Sequence, residues 1–510
     1  MKCLVYAPPS SLAEPHFGIL LEDAVRLYKE GNEVTFVYCE GECINCIWNP
    51  HGDGLYCKMC RHCTKKWMKQ LLPAGIRTMP LKKLDIRERV RNYQSVNEIK
   101  NIVYRDVYVG YGVMSNYTSI TRDPEPDFSD AVTRSYFDFM LDKAFALTDV
   151  FYDLVDELKP DCISLYNGRL IEVRPLFDIA LSKKIYLRNN ECLGGPRTGD
   201  TYHKIIYENN LPHNIPYNTE LLQKVWNKDN EPLEEKERKG RDFFERRRKG
   251  VPAGDRVYIG NQKKGLLPAD WDDSKRNIVI FNSSEDEFSA VGREFDQYSV
   301  FASQLDGIQT ILEKFPSEEY HFYLRVHPNL ARVNFRYHLD LYELPKRFKN
   351  LTVIAAKDPC STYDLLDAAE KVIVFGSTMG AEAAYWKKPV ILLGGAFYYM
   401  LDICYTPRTV EDMCEMIAAK LEAKESYPAI QYGYYLMNRE LLTEPAKYID
   451  YTMKPVKFFN MTLYVCAYCK VLGSKHIYKA LRTFIAWLAG KRKKIKLPQS
   501  QFVDHSFKKG

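Results

Sequence analysis

The sequence predicts an α/β protein of two Rossmann-like, doubly wound domains, with a small cysteine-rich insertion and a basic helical tail at the C-terminus. Two observations predict it. Short apolar runs alternate with stretches of helical spacing, the βαβ signature of a parallel sheet. The alternation breaks at a charged stretch near the middle and then begins again, and 510 residues are enough for two full cores. The expected boundaries are 1–215 for the first domain, with the insertion at 39–63, then 216–275 for a charged connection. Residues 276–430 form the second domain, and 431–510 the C-terminal helices and tail.

The first domain opens with a strand at 2–7 (KCLVYA), a helix at 20–31 (LLEDAVRLYKEG) and a second strand at 34–39 (VTFVYC). Ligands of doubly wound sheets bind in the loops after strand C-termini. Glu14 and His16 occupy the first such loop and are candidate substrate contacts, although a lone loop histidine is more often a surface residue. Further strands at 161–168 (DCISLYNG) and 184–190 (KIYLRNN) place Asn167, Arg169 and Glu191 at strand ends, where they join the same candidate set. Before these strands, TRDPEPDF carries Asp123, Glu125 and Asp127, held extended by the intervening prolines. Asp123 and Asp127 are candidate general bases; a solvated acidic turn reads as well.

Six cysteines crowd residues 39–63 in the pattern C-x2-C, ten residues, C-x2-C-x2-C, preceded by Cys39. Two facing knuckles, Cys43 with Cys46 and Cys57 with Cys60, offer four thiolates at a spacing suited to a tetrahedral zinc. Cys39, Cys63 or His62 could replace one of them. Four thiolates leave no open position on the metal, so the expected role is structural. An iron–sulfur cluster uses the same ligand type.

The connection, at 227–250 (NKDNEPLEEKERKGRDFFERRRKG), reads as a solvated helix or linker without functional charge. The second domain then runs strand, loop and helix repeatedly. RNIVIF leads to Ser283 and Ser284, and HFYLRVHPN ends in Arg325 and His327. The stretch 371–395 (KVIVFGSTMGAEAAYWKKPVILLGG) reads as strand, turn, helix, turn and strand. Ser377 and Thr378 suit a helix N-terminus, which attracts phosphate, and Glu382 follows one turn in. An ordinary capped helix would use the same residues. With Ser283, Ser284, Arg325 and His327 at the same sheet edge, the set describes a site for a phosphorylated leaving group.

The net charge of +6 is uneven: residues 474–510 hold ten Lys/Arg and one Asp, so the rest of the chain sums to −3. The body therefore lacks the basic character that nucleic-acid binding by bulk charge requires. The tail segment IYKALRTFIAWLAGKRKKIK is a basic amphipathic helix suited to an anionic membrane surface or to packing on a partner. Neither a signal peptide nor a run of about 18 apolar residues is visible, which points to the cytoplasm, with the tail at the inner membrane face.

RVHPN, the VIVFGSTMGAEAAYWKKPVI segment and the two successive α/β domains resemble the GT-B class of glycosyltransferases. They are similar above all to bacterial capsule and surface-polysaccharide synthesis proteins that transfer Kdo, sialic acid or glycerophosphate. The resemblance is specific over about residues 276–395. It implies two facing domains with a water-excluding cleft, a donor domain that follows an acceptor domain, and metal-independent, inverting transfer. It implies that His327, Ser377 and Thr378 contact the donor's nucleotide phosphate, with Glu382 near the ribose. The expected activity is transfer of a sugar from a nucleotide-activated donor, CMP-linked by preference, to a surface glycan or lipid-linked acceptor. A nucleotide-sugar 2-epimerase or CDP-glycerol-type glycerophosphotransferase shares these motifs. A zinc-containing nucleic-acid-binding protein is the alternative of another class, against which the near-neutral body counts.

Overall fold

The computed structural model describes residues 1–9, 15–89, 91–194, 202–228, 230–254, 257–452, 456–458 and 461–463. They group into two compact units, Met1–Pro212 with the chain from Thr443 onward, and His213–Leu442. The basic tail and Glu14 lie outside the described residues.

The first unit runs β1 (Lys2–Ala7), α1 (His16–Lys29), β2 (Glu33–Tyr38), α2 (Gly54–Leu71), β3 (Arg77–Pro80), α3 (Val96–Lys100), α4 (Val109–Thr121) and α5 (Ala131–Leu158). It continues with β4 (Cys162–Tyr166), α6 (Arg174–Ser182), β5 (Tyr186–Gly194) and β6 (Tyr202–Glu208). Five strands are parallel in the order β5-β4-β1-β2-β3, and β6 lies antiparallel on β5. The strand order reverses between β1 and β4. Cys3 to Ala7 are all buried, as a central strand covered on both faces must be.

The second unit runs α7 (Ile215–Lys228), α8 (Leu233–Arg248), β7 (Arg276–Phe281), α9 (Glu285–Phe288), α10 (Arg293–Asp296), α11 (Gln304–Lys314), β8 (Tyr320–Arg325) and α12 (Arg336–Glu343). After these come β9 (Leu351–Ile354), α13 (Thr362–Ala368), β10 (Lys371–Val374), α14 (Met379–Tyr385), β11 (Val390–Leu392), α15 (Val410–Ala418) and α16 (Tyr427–Met437). Its sheet is wholly parallel in the order β11-β10-β7-β8-β9, and the order reverses between β7 and β10. The chain then returns to the first unit. There β12 (Glu444–Pro445) pairs antiparallel with β6, and α17 (Lys447–Thr452) lies against α1.

Both sheets match the expected fold class. Two expectations about the segments between them change. The cysteine-rich stretch is no separate insertion, because its second half is α2, the crossover that joins parallel β2 to β3. Parallel neighbours need such a helix, since a tight turn reverses direction. The charged stretch 216–275 is no linker either, because α7 and α8 belong to the second unit. Its charges masked a buried stripe: Gly240, Phe243, Phe244 and Arg247 fall at i, i+3, i+4 and i+7 on α8.

Candidate active site

Strand register gathers the site in the second unit. Val374 at the end of β10 pairs with Phe281 at the end of β7, and Phe281 pairs with Arg325 at the end of β8. The three following loops therefore leave the sheet at one edge, beside its topological switch point. They enclose a cavity of about 340 Å³ lined by Ser283, Ser284, Arg325, His327, Ser377, Thr378 and Glu382. All seven donor-side residues read from the sequence thus meet in one place.

The loops are tied to one another. Asn282 Oδ1 accepts the His327 backbone N–H at 2.8 Å. The Ser283 hydroxyl donates to Phe375 O at 3.1 Å and accepts from Gln304 Nε2 at 2.9 Å, so it serves to join β7 to β10. Gly376 has φ of +101°, and a Cβ there would stand 2.5 Å from Gly395 O, so no other residue fits this turn. At the start of α14 it is Ser377, not Thr378, whose side chain takes a backbone N–H, that of Met379 at 3.3 Å.

His327 is fixed in one chemical form. Its Nδ1 accepts the Asn329 backbone N–H at 3.2 Å and lies 3.3 Å from Ser284 Oγ. A backbone N–H can only donate, so Nδ1 is an acceptor and the neutral ring carries its proton on Nε2. The ring is therefore a hydrogen-bond donor at Nε2. Tyr258 packs against it edge-on, with centroids 5.8 Å apart, and donates to Asn329 Oδ1 at 3.0 Å.

Two buried charges complete the cavity. Arg325 is 4% exposed, donates to Ala355 O and Asp358 O at 3.0 Å each, and leaves Nε without a hydrogen-bond partner among the described residues. Burial draws its pKa down. Glu382 takes Arg247 Nε at 3.0 Å and the Tyr363 hydroxyl at 2.5 Å. Arg247, Tyr363, Tyr258 and Asn329 all line the cavity and were missed in the sequence. The stripe on α8 was the one signal that could have found Arg247.

The first unit brings together another part of the candidate set at its own switch point. His16 stacks on Tyr166 at 3.9 Å and leans on Trp48 at 5.3 Å. Burial holds its pKa down to about 3. Glu191 accepts from the Tyr166 hydroxyl at 2.5 Å and from Asn167 Nδ2 at 2.7 Å. Asn167 adopts a left-handed φ of 64° at the β4 exit, and Arg169 follows on the same turn. Asp123 and Asp127 are placed differently. Asp123 is buried beyond α4, where it accepts from Tyr117 at 2.8 Å, and burial raises its pKa. Asp127 is exposed and accepts from the Ser129 backbone N–H at 2.9 Å.

The cysteines expected as metal ligands lie on a buried loop and on α2, where Cys39 and Cys43 are hydrogen-bonded to each other and Cys46 faces Cys60 and Cys39. Among the described residues, no group of three or more His, Cys, Asp and Glu side chains is placed to hold a metal ion. Cys57, Cys60 and Cys63 are successive i, i+3 positions on α2. Cys60 and Cys63 pack into the core with Trp67, whereas Cys57 accepts from Asn49 Nδ2 at 3.2 Å. Cys43 lies 3.8 Å from the Tyr6 hydroxyl, and burial raises the pKa of Cys46. The first knuckle lies on a buried loop and the second on one face of α2.

Residues 290–424 match the family model of capsule polysaccharide biosynthesis proteins. The match lies within the second unit and includes Arg325, His327, Ser377 and Glu382, so it bears out the resemblance those motifs carried. A search of curated proteins gives no match. Similar solved structures include the beta Kdo 2,4 transferase KpsC of Thermosulfurimonas dismutans, at 15% identity and TM-score 0.33, over 53% of this chain and 78% of that one. The beta Kdo 2,7 transferase KpsC of the same organism aligns at 16% identity and TM-score 0.29, over 57% and 90%. A UDP-GlcNAc 2-epimerase of Methanocaldococcus jannaschii aligns at 10% identity and TM-score 0.23, over 85% and 98%.

Proposed function

We propose that this chain is a glycosyltransferase of capsule or surface-polysaccharide synthesis, which binds a nucleotide-activated sugar, CMP-linked by preference, in the cavity of the second unit. One observation carries the reading. A buried guanidinium, Arg325, shares a closed loop cluster with His327, whose only proton is on Nε2. Both are suited to the charge that develops on a departing phosphate. The family match over the loops after β8 and β10 supports it.

The roles divide by unit. Arg325, His327, Ser284 and Thr378 receive the leaving phosphate with protein dipoles and side chains, and transfer is a direct, inverting displacement at the anomeric carbon, as the resemblance implies. The acceptor is a glycan or lipid-linked saccharide. His16, Asn167, Arg169 and Glu191 are its contacts in the first unit. Asp127, exposed on its loop, serves as the base, with Asp123 the other candidate. The basic tail holds the enzyme to the inner membrane face.

A thermal-shift series with CMP, CDP, UDP, GDP and dTDP tests the reading. A nucleotide at about 100 times its Kd stabilises the native state by about 2.7 kcal/mol. A clear rise with one base class is expected. No rise with any of them, at millimolar concentration, overturns the donor site.

A further inference from the structure

We propose that Cys39, Cys43, Cys46 and Cys60 are the ligands of one zinc ion, which ties the loop after β2 to helix α2. The proposal is independent of the donor reading above. It departs from the sequence spacing in one ligand: Cys39, the first residue past β2, takes the place of Cys57.

The four thiols come from one loop and one helix, and each is between 2% and 7% exposed. Cys39 and Cys43 are hydrogen-bonded to each other, and Cys46 faces Cys60 and Cys39. Asn45 shapes the turn between Cys43 and Cys46. It takes a left-handed φ of 50° and donates from Nδ2 to Pro50 O at 2.8 Å. Cys57 is given to the start of α2 instead. Asn49 Nδ2 reaches its sulfur at 3.2 Å, and Asn49 Oδ1 accepts the Asp53 backbone N–H at 2.8 Å.

The surroundings suit thiolates. Cys39 Sγ accepts the Gly41 backbone N–H at 3.3 Å and that of Cys43. A thiol sulfur is a weak acceptor, so two N–H groups aimed at one sulfur favour the anion, as donors behind a metal ligand do. Lys143 on α5 is fully buried beside Cys43 and Cys46, with Glu172 as its pair at 2.6 Å. As thiols, no three of these side chains are placed about one point. Zinc displaces the proton that Cys39 and Cys43 share: binding makes four Zn–S bonds and releases four thiol protons to solvent. With Zn–S bonds of about 2.3 Å, neighbouring sulfurs on a tetrahedral ion lie about 3.8 Å apart, the reach of an S–H···S contact. A four-iron cluster puts each thiolate on its own iron and holds them further apart. Four thiolates close the shell, so the ion is structural. The same loop carries Trp48, which leans on His16, so the ion fixes one side of the first unit's switch point.

Elemental analysis of the full chain, purified under reducing conditions, should find about one zinc per chain and no iron. Zinc-edge X-ray absorption of the same wild-type sample should show four sulfur neighbours at about 2.3 Å. Cys39→Ser and Cys60→Ser should lose the zinc, and Cys57→Ser should keep it. Where Cys39→Ser does not fold, the double variant Cys57→Ser/Cys63→Ser decides. Zinc with four sulfur neighbours in that variant leaves Cys39 beside Cys43, Cys46 and Cys60 as the ligands. Zinc lost from the double variant overturns the ligand set. A folded wild type that takes up no zinc when reduced, or one that holds iron with acid-labile sulfide, overturns the site itself. None of these outcomes bears on the donor cavity.

Discussion

At the scale of single residues, the two ring nitrogens of His327 have separate duties that substitutions can separate. Nδ1 closes the turn by accepting the Asn329 N–H, and Nε2 carries the proton. Asn at this position places an acceptor near Nδ1 and nothing near Nε2; Gln reaches Nε2 with an N–H donor. His327→Asn is therefore expected to fold normally and lose about 10²- to 10³-fold in kcat, the worth of one donor to developing charge. His327→Gln should retain distinctly more, measured by donor turnover under saturation. Equal loss in both would mean the proton on Nε2 plays no part. His16 gives a pH prediction. Its pKa is about 3 in the folded chain and about 6.5 in an unfolded one, so between those values the unfolded state takes up a proton that the native state refuses. Stability from this group is complete above pH 6.5 and falls as the pH drops toward 3. The urea midpoint of wild type should therefore fall more between pH 7 and pH 4.5 than that of His16→Phe. Parallel falls would show that the ring is open to water.

At the scale of elements, helix α8 decides whether Glu382 has its buried cationic partner. It crosses α16 at two glycines. A Cβ on Gly240 would stand 2.2 Å from Ile430 O, and one on Gly433 would stand 2.4 Å from Gly240 O. The backbones touch because neither residue has a side chain, and this seats Arg247 two turns further along α8. Gly240→Leu is thus expected to cost about 1–3 kcal/mol through overpacking and to weaken nucleotide binding at the same time. Thermal unfolding and titration of the variant check both, and lost stability with unchanged binding would uncouple α8 from the site. The same helix shows what the sequence could and could not tell. The strand ends were legible because fully buried parallel strands are unbroken apolar runs, and the loops after them must share an edge. Arg247 was not, since one buried arginine among Arg246, Arg248 and Lys249 differs from its neighbours only in phase. The cysteine pattern is ambiguous for a related reason. C-x2-C-x2-C is a ligand spacing on a loop but a stripe on a helix, and Asp53, which caps α2 by accepting from Leu55 N and Tyr56 N, makes it a helix.

At the scale of the whole molecule, the first unit is discontinuous in sequence. The chain leaves it at Pro212, builds the second unit, and returns at Thr443. The return is stitched in at several points: β12 extends the sheet on β6, Glu444 accepts Arg26 at 2.7 Å, and α17 buries Ile449 against α1. Gly18 on α1 makes room for it, since a Cβ there would lie 2.9 Å from the Ile449 backbone. The second unit, in contrast, holds its sheet, its cavity and α8 between His213 and Leu442. A chain ended after Leu442 should therefore damage one unit and spare the other. Uncovering Ile449's seat and its neighbours removes a few kcal/mol of apolar burial, at roughly 1.5–3 kcal/mol for each large side chain. For units of this size each kcal/mol lowers the midpoint by about 2–4 °C. Scanning calorimetry should show the transition that does not respond to nucleotide falling by about 5 °C or more. The transition that nucleotide raises should keep both its midpoint and its ligand shift. If both transitions fall together, the two units unfold as one, and the return segment stabilises the donor site as well as the first sheet.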